Sequence, residues 1–114
     1  MFVRTVLWDL EDSPMTIASL RDYLRDESVD AFAAVPGLRW KVWIANDETN
    51  TWGATFVWDS REAMLAAQPL PSRAKALIGK DPSSVTEYEV EATIEGLYAG
   101  EADLSRRGRV YDKQ

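Results

Sequence analysis

Arg4 is the charged residue whose surroundings ask most of it. It stands in the run Phe2-Val3-Arg4-Thr5-Val6-Leu7-Trp8, and an unpaired guanidinium among apolar neighbours is costly. Two uses fit: it holds the phenolate or carboxylate of a ligand, or it pairs with a strand carboxylate, Glu87 or Glu89, or reaches to the rim. Tyr88 lies between those glutamates, and its hydroxyl needs a partner if buried. It could also handle a proton, as could Tyr23. Arg4 and Tyr88 are therefore the candidate catalytic residues. Trp8, Trp40, Phe56 and Trp58 offer flat apolar surface suited to offset stacking on a planar aromatic ligand. The same rings could equally fill a core. Arg73, just after Pro69 and Pro71, is placed to gate a cavity mouth or to sit in solvent.

Two absences narrow the chemistry. The sequence holds no His and no Cys, which excludes Ser-His triads, imidazole- or thiolate-bound zinc, Fe–S clusters and disulfides. Any base is then a carboxylate, a Tyr, a Lys tuned by burial, or water. Glu87, Glu89 and Glu91 alternate along one strand face, but without His they read as a solvated or ion-paired stripe. Neither a metal nor a cofactor is expected.

The elements that must position these residues follow from periodicity. Residues 2–10 read as a strand with two apolar faces: Val3, Thr5 and Leu7 on one, Phe2, Arg4, Val6 and Trp8 on the other. Ser13-Pro14 predicts a helix start. Its Ile17, Leu20, Leu24 stripe loses phase near residues 26–28, which predicts a break with Ser28 capping a second short helix. Residues 38–46 and 51–58 form a hairpin. Matching the even-numbered apolar faces sets Val42 opposite Phe56 and Trp40 opposite Trp58, through a three-residue turn with Asn50 left-handed. Lys41 and Trp43 then lie on the opposite face, toward a partner subunit. Residues 59–62 have capping-box spacing and open a helix to about residue 68. A short helix at 72–78 stops at Gly79, and 85–94 is the last strand.

The order is βαββαβ, the pattern of an α+β ferredoxin-like fold with a four-stranded antiparallel sheet. The expected domain is residues 1–95, with a C-terminal tail at 96–114. One sheet face is left bare, and a second copy is the simplest cover, so a homodimer is expected. At 114 residues, 46% hydrophobic and 28% charged, the chain fits one globular domain. Net charge is −6, with nine basic against sixteen acidic residues in 1–100. Such a body is a poor partner for nucleic acid or an anionic membrane. With no charged n-region followed by an apolar h-region at the N-terminus, a cytoplasmic protein is expected.

The segment Pro36-Gly37-Leu38-Arg39-Trp40-Lys41-Val42-Trp43 resembles the P-G-aromatic/aliphatic-x-W-K-x-W segment of the YdhR-like mono-oxygenase family, within the dimeric α+β barrel superfamily. The likeness runs on through the polar turn, the Gly53 strand and Asp59–Glu62, covering roughly residues 3–94. It implies a homodimer whose sheets form a barrel, with a cavity in each subunit between helices and sheet. Related families include oxygenases that oxidise polycyclic phenols with O₂ and no metal or flavin; others bind haem, isomerise, cyclise or dehalogenate. The function so implied is a cofactor-independent mono-oxygenase acting on a planar aromatic or quinol-type small molecule. The alternatives are a binding protein for an aromatic metabolite and a non-oxidative cyclase or isomerase.

Overall fold

The computed structural model describes residues 1–97 and residue 110. Its elements run β1 (Phe2–Asp9), α1 (Ile17–Tyr23), a π-helical turn (Leu24–Ser28), α2 (Val29–Phe32), β2 (Leu38–Asn46), β3 (Thr51–Trp58), α3 (Arg61–Ala66), α4 (Ala74–Ile78) and β4 (Ser84–Glu89). The strands form one antiparallel sheet in the order β2-β3-β1-β4. This is the ferredoxin-like fold that the βαββαβ pattern predicts. The expected tail at 96–114 lies almost wholly outside the described residues; Val110 packs beside the Leu10, Ile17 and Leu20 cluster.

Local chemistry accounts for the helix ends. α1 begins three residues later than Pro14, because Thr16 accepts the Ser19 N–H and Ser19 returns the bond in a capping box. The Ser13 hydroxyl instead donates to the Ile78 carbonyl at 2.8 Å and accepts the Met15 N–H, tying the approach of α1 to the end of α4. The break expected near residues 26–28 is a π-helical turn over Leu24–Ser28. It rotates Val29 and Phe32 into the core, where both are buried. Ser28 remains helical there and makes no capping bond, contrary to expectation. Ser60, not Asp59, caps α3 by accepting the Ala63 N–H, and Asp59 pairs with Arg39 at 3.2 Å. Gly79, at φ 87°, closes α4. β4 ends at Glu89, short of residue 94, after which Val90 N–H bonds to the Met1 carbonyl.

The hairpin register differs from the expected one, and the difference matters most for the site. Asn46 pairs with Thr51, so the turn has four residues, 47–50. The Asn46 carboxamide oxygen accepts the N–H groups of Glu48 and Thr49 and holds that turn. Asn50 is left-handed as expected, at φ 51°. The pairs are therefore Lys41 with Phe56, Val42 with Thr55 and Trp43 with Ala54. A bulge at Arg39 restores Leu38 opposite Trp58 and leaves Trp40 opposite Val57. Gly53 fits because β1 lies close against it: a Cβ there would stand 2.1 Å from the Val6 carbonyl oxygen.

Helices cover the face of the sheet that carries Phe2, Val6, Phe56 and Trp58. Two buried clusters form there, one around Phe32, Phe56, Trp58 and Met64, the other around Leu10, Leu20, Trp52 and Ile78. The half-buried rings of Trp8 and Trp43 touch both.

Candidate functional site

Between sheet and helices lies a cavity of about 270 Å³, at the small end of ligand sites, which run about 300–1,000 Å³. Its floor is built by cross-strand rows. Arg4 of β1 pairs with Phe56 of β3, and Phe56 pairs with Lys41 of β2, so one ring lies between two cations on the same sheet face. Trp58, next but one along β3, stacks nearly parallel on Phe56, with centroids 6.1 Å apart and planes 8° from each other. Trp43 and Phe32 meet edge to face at 5.9 Å, and Phe32 also meets Phe56 at 6.1 Å. These are the offset and T-shaped contacts that ring quadrupoles favour.

The Lys41 amine sits inside this aromatic box. Its nitrogen lies 3.3 Å from the centroid of Phe32 and 4.3 Å from those of Trp43 and Phe56. Burial away from water pushes the amine from its ordinary value down to about 6. The ring faces attract the ammonium form and pull the other way. An amine at about 6 is largely neutral at pH 7 and able to take up a proton.

Arg4 is part-buried at the other side of Phe56. One of its terminal nitrogens donates to the Met64 sulfur at 3.7 Å, a weak acceptor, and its Nε–H is buried with no partner. Glu87, its direct neighbour across β1 and β4, is exposed and makes no ion pair with it. Trp58, 1% exposed, likewise has a buried indole N–H without a partner. Trp8 differs: its indole N–H donates to the Lys80 carbonyl at 3.0 Å. Among the described residues the cavity wall includes Arg4, Lys41 and Lys75 and no carboxylate, in a chain of net charge −6.

Trp8, Phe56 and Trp58 thus meet at the cavity, together with Arg4. Trp40 does not. The register set by the four-residue turn puts it on the far face of the sheet, opposite Val57 and 50% exposed. The same shift brings Lys41 and Trp43, assigned from strand parity to the partner-facing side, onto the cavity wall. Tyr88 pairs with Val3, on the far face, and is 63% exposed, so it has no access to the cavity. Arg73 lies outside the wall and latches its rim: its guanidinium pairs with Glu27 and its backbone N–H donates to the buried Tyr23 hydroxyl at 2.8 Å. The residue that sequence reasoning missed is Lys41. Its signal was present in the Trp40-Lys41-Val42-Trp43 run, but the wrong register pointed it away. Among the described residues, no cluster of His, Cys, Asp or Glu could hold a metal, and no helix is long and apolar enough to cross a membrane.

The family model "Putative mono-oxygenase ydhR" matches residues 14–100. The chain belongs to the YdhR mono-oxygenase family. No curated protein matches the sequence. Among solved structures, the fold is similar to an antibiotic biosynthesis monooxygenase of Chloroflexus aurantiacus, with 22% identity, a TM-score of 0.58, and coverage of 83% of this chain and 98% of that one. It is also similar to the ActVA-Orf6 monooxygenase of Streptomyces coelicolor, solved with nanaomycin D, at 18% identity and a TM-score of 0.62, covering 82% and 89%. A third is SnoaB, a cofactor-independent oxygenase of Streptomyces nogalater, at 17% identity and a TM-score of 0.54, covering 83% and 94%. At these identities the likeness establishes the fold. In this YdhR-family chain, the segment from Pro36 to Trp43 sets Gly37 in a left-handed turn against Ala63. It then delivers Lys41 and Trp43 to the cavity and Trp40 to the opposite face.

Proposed function

We propose that the protein is a homodimeric, cofactor-independent mono-oxygenase that oxidises a planar aromatic or quinol-type small molecule in the cavity of each subunit. The observation that carries this reading is the Lys41 amine, boxed by Phe32, Trp43 and Phe56 beside a stacked aromatic wall. A phenol or enolisable anthrone held against Phe56 and Trp58 gives its proton to neutral Lys41. The resulting anion faces Arg4 and the new ammonium, which stabilise it in a cavity poor in water.

Such an anion is electron-rich enough to reduce O₂ by one electron. Recombination of the resulting pair and return of a proton form a hydroperoxide on the substrate carbon. Loss of water then leaves a carbonyl, so that CH₂ plus O₂ becomes C=O plus H₂O. The substrate supplies the four electrons, and the protein binds, orients and moves the proton.

The homodimer rests on the other sheet face, where Trp40, Ile44 and Tyr88 are exposed. That apolar surface calls for a cover, and a structural neighbour from an uncultured marine organism is described as a dimeric ferredoxin-like protein. In this reading Trp40 and Tyr88 take the interface role that strand parity had given to Trp43 and Lys41.

The test is oxygen uptake by metal-free protein offered anthrones, naphthoquinols and catechols. Uptake above the uncatalysed rate, with an oxygenated product, supports the oxygenase. Quenching of Trp fluorescence by these compounds without any turnover would replace it with a binding protein.

A further inference from the structure

The cavity holds more hydrogen-bond donors than a phenol can use. Lys41 meets one acidic hydroxyl. The Arg4 Nε–H and the Trp58 indole N–H remain, both buried and both without an acceptor among the described residues. Buried donors are nearly always paired, and leaving one unpaired is unfavourable. Both side chains line the same cavity, so the acceptor they lack can arrive with a ligand. They also stand close together: Arg4 pairs with Phe56, and Trp58 is the next residue on that face, a diagonal neighbour of Arg4 within reach of long side chains. The exposed Glu87 beside Arg4 leaves the need unmet.

The two cations are set apart by design of the sheet. Arg4 and Lys41 flank Phe56 on neighbouring strands, which places their backbones roughly 10 Å apart, two strand spacings. Among the described residues no carboxylate stands on the wall to compete for either. We infer that the ligand is a hydroxy-aromatic carboxylate, stacked on Phe56 and Trp58, with its carboxylate received by Arg4 and the Trp58 N–H and its hydroxyl turned toward Lys41. Guanidinium with a second N–H donor suits a carboxylate because charge-assisted bonds to both oxygens form together. This rests on the reading of the cavity as an aromatic-ligand site and names the class of ligand that the site selects.

The experiment compares three probes by Trp fluorescence quenching and calorimetry: 6-hydroxy-2-naphthoic acid, its methyl ester and 2-naphthol. The acid is expected to bind about tenfold or more tightly than either neutral compound. Arg4→Met, which keeps an unbranched apolar stem, is expected to bring the acid down to the level of its ester. Trp58→Phe keeps a ring and removes the N–H, and is expected to cut the acid's advantage severalfold.

Equal binding of acid, ester and naphthol would overturn the carboxylate assignment while leaving the aromatic cavity standing. An Arg4→Met variant that retains the acid's full advantage would overturn it too. Failure of all three probes to bind would remove both the ligand class and the aromatic-ligand reading beneath it. Far-ultraviolet circular dichroism and a thermal melt establish that each variant is folded before its binding is compared.

Discussion

On the helix side of the sheet, Phe56 and Trp58 are buried, Trp43 packs over Phe32, and a lysine and an arginine are drawn in among them. On the other side, Trp40, Ile44 and Tyr88 stand in solvent, and the Thr5 and Thr55 hydroxyls bond to each other at 3.0 Å. Both faces are rich in aromatic and β-branched residues, so hydrophobicity does not tell them apart. Charge does. The covered face holds a guanidinium and a desolvated amine with no anion on the cavity wall among the described residues, which is unfavourable unless a ligand repays it. The exposed face has no such groups to satisfy and needs only a surface to match. In the proposed reading, one face is arranged for a small acidic molecule and the other for a copy of itself.

The largest effect that would test this contrast is on turnover. Lys41→Met preserves the apolar contacts of the side chain and removes the proton acceptor. Oxygen uptake with a turned-over substrate should fall about a hundredfold or more, with the fold intact. Full activity in that variant would return the base to another residue.

Next comes assembly. An interface residue repeats by symmetry, so Trp40→Glu strikes twice per dimer. At about 2 kcal/mol for each buried aromatic anchor it should raise the dimer dissociation constant roughly a thousandfold, read by sedimentation. Trp43→Glu should instead lower the melting temperature, because that ring packs against both core clusters. The opposite pattern would exchange the two faces.

A smaller effect lies in the pH dependence of stability. The folded Lys41 titrates at about 6, well below a lysine in the unfolded chain, at about 10.4. Between these values the unfolded state binds a proton that the folded state lacks. Stability should therefore rise with pH from about 6 upward, by up to about 1.4 kcal/mol per pH unit for this group. Below pH 6 the full penalty persists. Urea midpoints at several pH values should show the wild type approaching Lys41→Met as pH rises, and a constant gap would contradict a neutral buried amine.

The smallest effect concerns the rim. Arg73 joins the segment before α4 to Glu27 and Tyr23 across the cavity mouth. Both charged groups of that pair are half exposed, so Arg73→Ala should change stability by less than about 1 kcal/mol. Stopped-flow quenching should show ligand entry and exit both faster by a few fold, with little change in affinity.

Much of this architecture was legible in the residues. The strands at 38–46 and 51–58 match their predicted limits, the left-handed Asn50 turn and the Gly79 stop follow from local stereochemistry, and Phe2, Arg4, Val6 and Trp8 share one face of β1 as their alternation said. The phase break after Leu24 was visible as well, although its form as a π-helical turn was not. Ser13-Pro14 and Asp59 misplaced their helix starts because several neighbouring residues could each cap, and tertiary contacts selected Thr16 and Ser60. Of the proposed site, Arg4, Trp8, Phe56 and Trp58 could be read from the residues; Arg73 stands at the rim, as one of its two readings had it, and Trp40 and Tyr88 lie on the other face of the sheet.

The sequence by itself determined the order of elements, the family through Pro36-Gly37-Leu38-Arg39-Trp40-Lys41-Val42-Trp43, and the absence of imidazole and thiol chemistry. It could not determine which side of β2 turns inward. In a strand with two apolar faces, alternation carries no label for inside, and a slip of one residue exchanges every side chain between them. The Asn46 side chain set the turn at four residues, and the bulge at Arg39 absorbed the remainder. Only that tertiary register moved Trp40 out to the exposed face and carried Lys41 into the aromatic box, where desolvation turns an ordinary lysine into a group that titrates near neutrality.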